Sequence, residues 1–141
     1  MTLLGTVIFS VSNMCRNNPA PGQNIVEKFI EPLVQLLEKI DSTPETTGNT
    51  ELRRDICWAL SHLSDNGEER AQAVMDANPV PLLINHLAKF ADCASLIIPT
   101  LRTIGNCVAG TDEQTEVILR ANFLKYAFPL LEHRSVRPFG V

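Results

Sequence analysis

Trp58-Ala-Leu-Ser-His62, read beside Phe9-Ser-Val-Ser-Asn13 and Arg102-Thr-Ile-Gly-Asn106, decides the architecture of this chain. Each stretch sets a large or charged residue four positions before an Asn or His, so the two side chains stack on one helical face. The stretches end 49 residues apart (13 to 62) and then 44 apart (62 to 106). A second marker keeps the rhythm: Leu36-Leu37, His86-Leu87 and Leu130-Leu131 recur at intervals of 50 and 44 residues.

Recurrence at about 40–47 residues predicts an all-α armadillo or HEAT solenoid, in which each unit buries its apolar face only by stacking on the next. The 141 residues divide into the end of one repeat (1–17), two repeats (23–65 and 66–110) and a partial repeat (111–141). That outline is a fragment's: it starts late in one repeat, stops before the last helix of another and shows no polar capping repeat. Exposed repeat ends predict self-association. A solenoid is usually a binding surface, so recognition is expected rather than catalysis.

Composition agrees. Hydrophobic residues make up 45% and charged residues 20%, enough for a packed core. The net charge of −4 speaks against nucleic acid as a partner and for a basic one. Cys15, Cys57, Cys93 and Cys107 form no C-x-x-C pair. Cys57 and Cys107 fall within apolar helical patterns and read as core thiols in a reducing compartment. The apolar start lacks a basic n-region, so no signal peptide is expected, and no stretch approaches membrane-spanning length. His62, His86 and His133 have no companions at ligand spacing, so no metal or other cofactor is expected. Asp55, Ser61 and His62 suggest a nucleophile and base on paper. No nucleophile elbow or phosphate loop accompanies them, and an enzyme or enzyme-regulatory helical domain stays a distant alternative.

Helices are predicted over 3–16 and from a capping box at Asn24 and Glu27 through Ile40, with a break near Glu31-Pro32. Residues 17–22 and 41–49 read as solvated loops. A helix over about 50–64 buries Leu52, Ile56, Ala59 and Leu63. A cap at Asn66 opens a short helix to Ala77, and Asn78-Pro79 turns the chain through a left-handed residue. Further helices follow over 80–90 and 93–108, the latter with Ile97, Leu101, Ile104 and Val108 inward. A capping box at Thr111 and Gln114 opens helices near 112–121 and 123–133, before the tail 134–141.

Glu51, Asp55, Trp58 and His62, spaced 4, 3 and 4, form one column on a helix edge. Two carboxylates, an indole and a hydrogen-bonding ring suit an extended basic peptide: the indole brackets a lysine stem and the carboxylates meet its ammonium. An Asn amide at a neighbouring station can pair with both N–H and C=O of a peptide backbone. The same residues equally fit a solvated acidic face with Trp58 packed in the core.

The density of these motifs resembles one family, importin-α (karyopherin-α), the adaptor for nuclear localisation signals. Ser-Val-Ser-Asn-Met-Cys-Arg-Asn at 10–17 is similar to the end of the family's fourth armadillo repeat. Asp55-Ile-Cys-Trp-Ala-Leu-Ser61 is similar to the same helix one repeat later. Leu101-Arg-Thr-Ile-Gly-Asn-Cys-Val-Ala-Gly-Thr-Asp-Glu-Gln-Thr115 resembles the repeat after that. The resemblance covers nearly the whole chain, about repeats four to seven, and implies a right-handed superhelix.

It also implies roles. Asn13 and Asn106 match asparagines that hold the peptide backbone, Trp58 a groove tryptophan and Asp55 an acidic groove residue. Arg102 stands where the family exchanges tryptophan for arginine, between the major and minor basic-peptide sites. Val108, Gly110, Asp112 and Thr115 match the surroundings of a minor-site lysine or arginine. Phe9, Arg16, Glu51 and His62 complete the expected peptide-binding set. Phe9 replaces the expected tryptophan, and His62 the usual asparagine, although the family often has tyrosine at this repeat; Ala109 stands where Thr is common, and the 41–49 loop is long. The implied function is non-catalytic capture of Lys/Arg-rich nuclear localisation signals of cargo, in cytoplasm and nucleus. Importin-β is expected as a partner only of a full-length form, because the basic segment that binds it is missing from this stretch. With most of both sites outside it, the chain alone is expected to bind weakly. A catenin-like armadillo scaffold, without import activity and with a lysine-rich groove for acidic partners, is the alternative; Glu51, Asp55 and Asp112 argue for basic ligands.

Overall fold

The helical spacing of apolar residues is realised throughout the described residues. The computed structural model describes residues 2–16, 22–65 and 67–132. Among them are eight helices and no strand: α1 (Leu3–Arg16), α2 (Gln23–Asp41), α3 (Thr47–Leu63), α4 (Glu68–Asp76), α5 (Val80–Lys89), α6 (Ala94–Val108), α7 (Asp112–Arg120) and α8 (Phe123–Leu131).

Packing arranges these helices in a stack. α3 lies between α1 and α6, forming a continuous ladder of three helices, while α5 packs on α8 and α2 contacts both α4 and α5. Ile8, Val11 and Cys15 of α1 and the Val26–Ile40 stripe of α2 bury against Ile56, Cys57, Leu60 and Leu63 of α3. A second cluster joins Leu83, Ile84 and Leu87 of α5 to Ile97, Ile104 and Cys107 of α6, Ile118 of α7 and Leu130 of α8. Each large side chain so buried contributes about 1.5–3 kcal/mol. Cys15, Cys57 and Cys107 are buried free thiols, and burial pushes Cys57 up to about 12 and Cys107 up to about 11.

Several local expectations are corrected. α2 runs through Pro32 without a break. Proline removes one intrahelical bond, that to the Lys28 carbonyl, and both Lys28 and Pro32 are exposed, so the orphaned acceptor stays on the solvent side. No capping box forms at Asn24: Gly22 is the N-cap, with no side-chain cap, and Glu27 accepts from Gln23 Nε2 at 3.0 Å. α3 begins at Thr47, inside the expected loop, because the Thr46 hydroxyl accepts from the Asn49 N–H at 3.1 Å. Val108 is not inward but 38% exposed, since the buried stripe of α6 passes from Ile104 to Cys107, three residues on rather than four. Glu132 already caps α8, short of 133.

Other expectations hold. Asn78 has φ 58°, the left-handed corner between α4 and α5, and Asn122, with φ 65°, plays the same part between α7 and α8. The Thr111–Gln114 capping box is complete in both directions. A Cβ on Gly110 would collide with the Gln114 carboxamide that closes this box. The expected loop over 17–21, the cap at Asn66, and His133 with the tail lie outside the described residues.

Candidate peptide-binding groove

The α1–α3–α6 ladder creates the site. Trp58 and His62 stand one turn apart on α3 and stack at 5.8 Å between ring centroids, 23° from parallel. The Arg102 guanidinium of α6 lies 5.9 Å from the Trp58 ring centre. Together they form part of a cavity of about 430 Å³, whose lining is completed by Phe9, Ser12, Asn13 and Arg16 of α1 and Asp55 of α3. Seven of the sequence-derived candidates therefore meet in one place: Phe9, Asn13, Arg16, Asp55, Trp58, His62 and Arg102.

The others do not join them. Glu51 is exposed on α3 and absent from the lining. Asn106 faces an adjoining recess of about 140 Å³, with Asp65, Glu68 and Gly110. Its Nδ2 donates to the Ser61 carbonyl at 2.9 Å and to the Ser64 hydroxyl at 3.0 Å, which ties α6 to the C-terminal end of α3. The amide N–H groups are thus engaged within the fold, and the carbonyl oxygen is what Asn106 has left for a ligand. Thr115 Oγ1 donates to the Val108 carbonyl at 3.2 Å, fastening α7 to the end of α6. Exposed Asp112 sits in the first turn of α7, where a carboxylate complements the helix N-terminus.

Charge in the cavity differs from the acidic column read from the sequence. Asp55 Oδ1 lies 3.5 Å from Arg54 Nε. Neither Arg16 nor Arg102 forms an ion pair among the described residues. Burial, and then the positive charges of Arg16 and Arg102, hold the His62 imidazole below its ordinary 6.5, against the opposing pull of Asp65. His62 is therefore mostly neutral at pH 7, and one arginine from each flanking helix lines the same cavity. Single-helix periodicity displays α3 alone, so their convergence was not visible in that column.

A buried polar network beneath the ladder escaped the sequence reading. Arg53, only 1% exposed, donates from Nε to Asp41 Oδ1 at 2.7 Å and from Nη1 to Glu45 Oε1 at 2.8 Å, and lies 4.7 Å from the Phe90 ring centre. His86, fully buried, pairs through Nε2 with Asp41 Oδ2 at 2.7 Å, and its Nδ1 faces Cys57 Sγ at 3.8 Å. The stretch read as a solvated loop thus supplies two anchoring carboxylates. Burial tends to raise the Asp41 carboxyl, but hydrogen bonds and charge from His86 and Arg53 outweigh it and hold it below 3.8. Cys57, His86 and Asp41 imitate a nucleophile–base–acid relay in outline. The thiol is inaccessible and, pushed up to about 12, stays protonated, so the three act as a structural bridge. Among the described residues no group of three or more His, Cys, Asp or Glu is placed to hold a metal ion, and no helix is long and apolar enough to cross a membrane.

Comparison with known proteins places this geometry in a lineage. The chain is 36% identical over 133 residues to importin subunit alpha-3 of Arabidopsis thaliana, covering 94% of this chain and 23% of that protein. It is 34% identical to importin subunit alpha-1b of Oryza sativa subsp. japonica over 119 residues, covering 84% of this chain and 20% of that protein. Importin subunit alpha-2 of Caenorhabditis elegans is 30% identical over 128 residues, covering 90% of this chain and 22% of that protein. This chain is an importin-α relative. It spans about a fifth of the length of the importin-α subunits it matches. No protein-family model matches. Its helices follow the armadillo fold: a designed armadillo repeat protein in complex with peptide (KR)4 superposes with a TM-score of 0.74 at 21% identity, covering 92% of this chain and 51% of that one. A computationally designed armadillo repeat protein for modular peptide recognition gives 0.74 at 20% identity, with coverage of 92% and 51%. For the importin-α relative, these likenesses fix the armadillo architecture of the ladder on which the cavity is built.

Proposed function

We propose that this chain forms the middle of a non-catalytic groove that captures extended Lys/Arg-rich nuclear localisation signals, as part of an importin-α-like import adaptor working between cytoplasm and nucleus. The observation that carries this reading is the cavity in which Asn13, Asp55, Trp58 and His62 converge from neighbouring helices of the ladder. An indole ring, a carboxylate and two polar side chains at successive helical stations suit an extended peptide: the ring takes the stem of a long basic side chain, and the polar groups take the peptide backbone. Kinship with importin-α subunits supports the choice of a basic signal as the ligand. The cargo contacts of the whole adaptor, and any contact with importin-β, belong to the full-length protein.

Trp58 is the chain's one tryptophan, so its fluorescence reports occupancy directly. Titration with an alternating Lys/Arg peptide is expected to shift that emission with weak, saturable binding, and an equally long Asp/Glu peptide is expected to leave it unmoved. The opposite ranking would favour the second reading, a scaffold for acidic partners, to which Arg16 and Arg102, neither in an ion pair among the described residues, lend weight.

A further inference from the structure

The apolar faces left open at the two ends of the stack are the two halves of one contact. Leu124, Phe128 and Leu131 of α8 follow Val80, Ile84 and Leu87 of α5 by 44 residues, and these follow Ile30, Val34 and Leu37 of α2 by 50. The α2 and α5 residues are all buried, each set in a core shared with the third helix of its own repeat: α3 through Ile56 and Leu63, α6 through Ile97 and Cys107. On α8 the same positions are open, Phe128 at 63% and Leu131 at 73%. Among the described residues no helix follows α8 to cover them.

At the other end, α1 shows the converse. Val7 and Met14 precede Ile56 and Leu63 of α3 by 49 residues, and Thr100 and Cys107 of α6 stand 44 further on. Those four are buried, whereas Val7 and Met14 are exposed, so α1 is a third helix whose own second helix is not in place. The end of α6 matches it. Val108 follows Ser64 by 44 residues and Ser64 follows Cys15 by 49; Cys15 and Ser64 are buried against the next rung, while Val108 is open. A helix with the face of α1 would therefore cover α8 as α6 covers α5, and lie on α6 as α6 lies on α3.

We propose that a second copy of this chain docks head to tail, its α1 seated on α8 and against the end of α6, so that the repeat opened by α7 is completed in trans. This goes beyond the groove reading and does not depend on it, and it gives the self-association expected of repeat ends a defined polarity. The contact is heterologous, so each added copy leaves one α1 face and one α8 face free, and growth stays open unless the superhelix closes a ring. Each copy carries a net charge of −4, which opposes the approach, so apolar burial drives the junction and salt does not weaken it.

Sedimentation equilibrium of the full chain tests this. With rising concentration the weight-average mass is expected to pass about twice the 15.6 kDa monomer, and to do so equally at about 0.5 M salt. Val7→Glu blocks the head and Phe128→Glu the tail; both positions are exposed, so circular dichroism should show an unchanged helix content. Each variant alone should stay monomeric, because a lone carboxylate buried in the junction weakens it at least about hundredfold. Mixed in equal amounts, the two should form a dimer and stop there, the free α1 of one meeting the free α8 of the other. A parent chain that stays monomeric would overturn the junction and leave both faces to other segments. Self-association of Val7→Glu would mean that α8 pairs with α8, and of Phe128→Glu that α1 pairs with α1; either result would overturn the head-to-tail polarity. A mixture that remains monomeric, or an association lost at high salt, would overturn it as well.

Discussion

The Arg102 guanidinium and the Trp58 ring, on adjacent rungs of the ladder, stand 5.9 Å apart. The indole is therefore partly occupied by a cation of its own fold before any ligand arrives. A lysine stem that packs on Trp58 must share or displace this contact. Trp58→Ala is expected to weaken a bipartite basic peptide by about 1–2 kcal/mol in a longer protein that includes the flanking repeats. Isothermal titration that returned an unchanged Kd would assign Trp58 to the fold alone.

His62 stacks on the same ring, so its protonation is readable in Trp58 emission. Its folded-state value lies below 6.5, through burial first and then Arg16 and Arg102. A base whose folded value is depressed binds protons more readily when unfolded, so stability declines as pH falls below 6.5 toward the folded value. The fluorescence midpoint is expected below 6.5, and Arg16→Gln should raise it. A midpoint at or above 6.5 in the parent chain would show that neither burial nor the arginines hold this ring down, and an unchanged midpoint in Arg16→Gln would show that Arg16 does not act on it.

Arg53 is expected to be the most damaging charged residue to remove. Arg53→Met leaves Asp41 and His86 facing each other without the guanidinium and abolishes the Glu45 tie and the Phe90 contact. Breaking one side of a buried pair costs about 3–5 kcal/mol, and denaturant unfolding should show a loss of that order. A change under about 1 kcal/mol would mean that the network is not a stabilising bridge.

Asp41 adds an acid limit. Its folded value is depressed, so its stabilisation is present above 3.8 and is lost as pH falls through the lower folded value. Asp41→Asn should be less stable than the parent near neutral pH, and the gap should narrow below 3.8. Parallel stability curves for the two proteins across that range would contradict this.

Asn106 separates holding the fold from holding a ligand. Losing its two bonds to α3 should cost about 1–3 kcal/mol, even with no peptide present, because a helix end is left partly unsatisfied. An Asn106→Ala variant with parent-like thermal stability would show that the α3 tie contributes little.

The elements that the sequence revealed are those set by local chemistry. The left-handed Asn78 corner, the Thr111–Gln114 box and the Trp58–His62 stack each involve residues within four positions of one another. What remained hidden depends on partners far along the chain. Asp41 looked like the start of a polar loop because His86, its partner, lies 45 residues on. Asn106 looked free for a peptide because the groups it binds, Ser61 and Ser64, belong to the preceding rung. Pro32 read as a break because proline's cost was weighed without the solvent exposure that makes it tolerable within α2.

That unbroken α2 makes the stack mechanically unequal along its length. Where α4 and α5 are two short rods jointed at Asn78, α2 is a single 19-residue beam contacting both. The earlier part of the stack is thus spanned by one continuous helix, whereas the later part turns a corner at Asn78 and again at Asn122. Bending α2 would have to break its intrahelical hydrogen bonds, a cost that a corner already outside helical geometry does not carry.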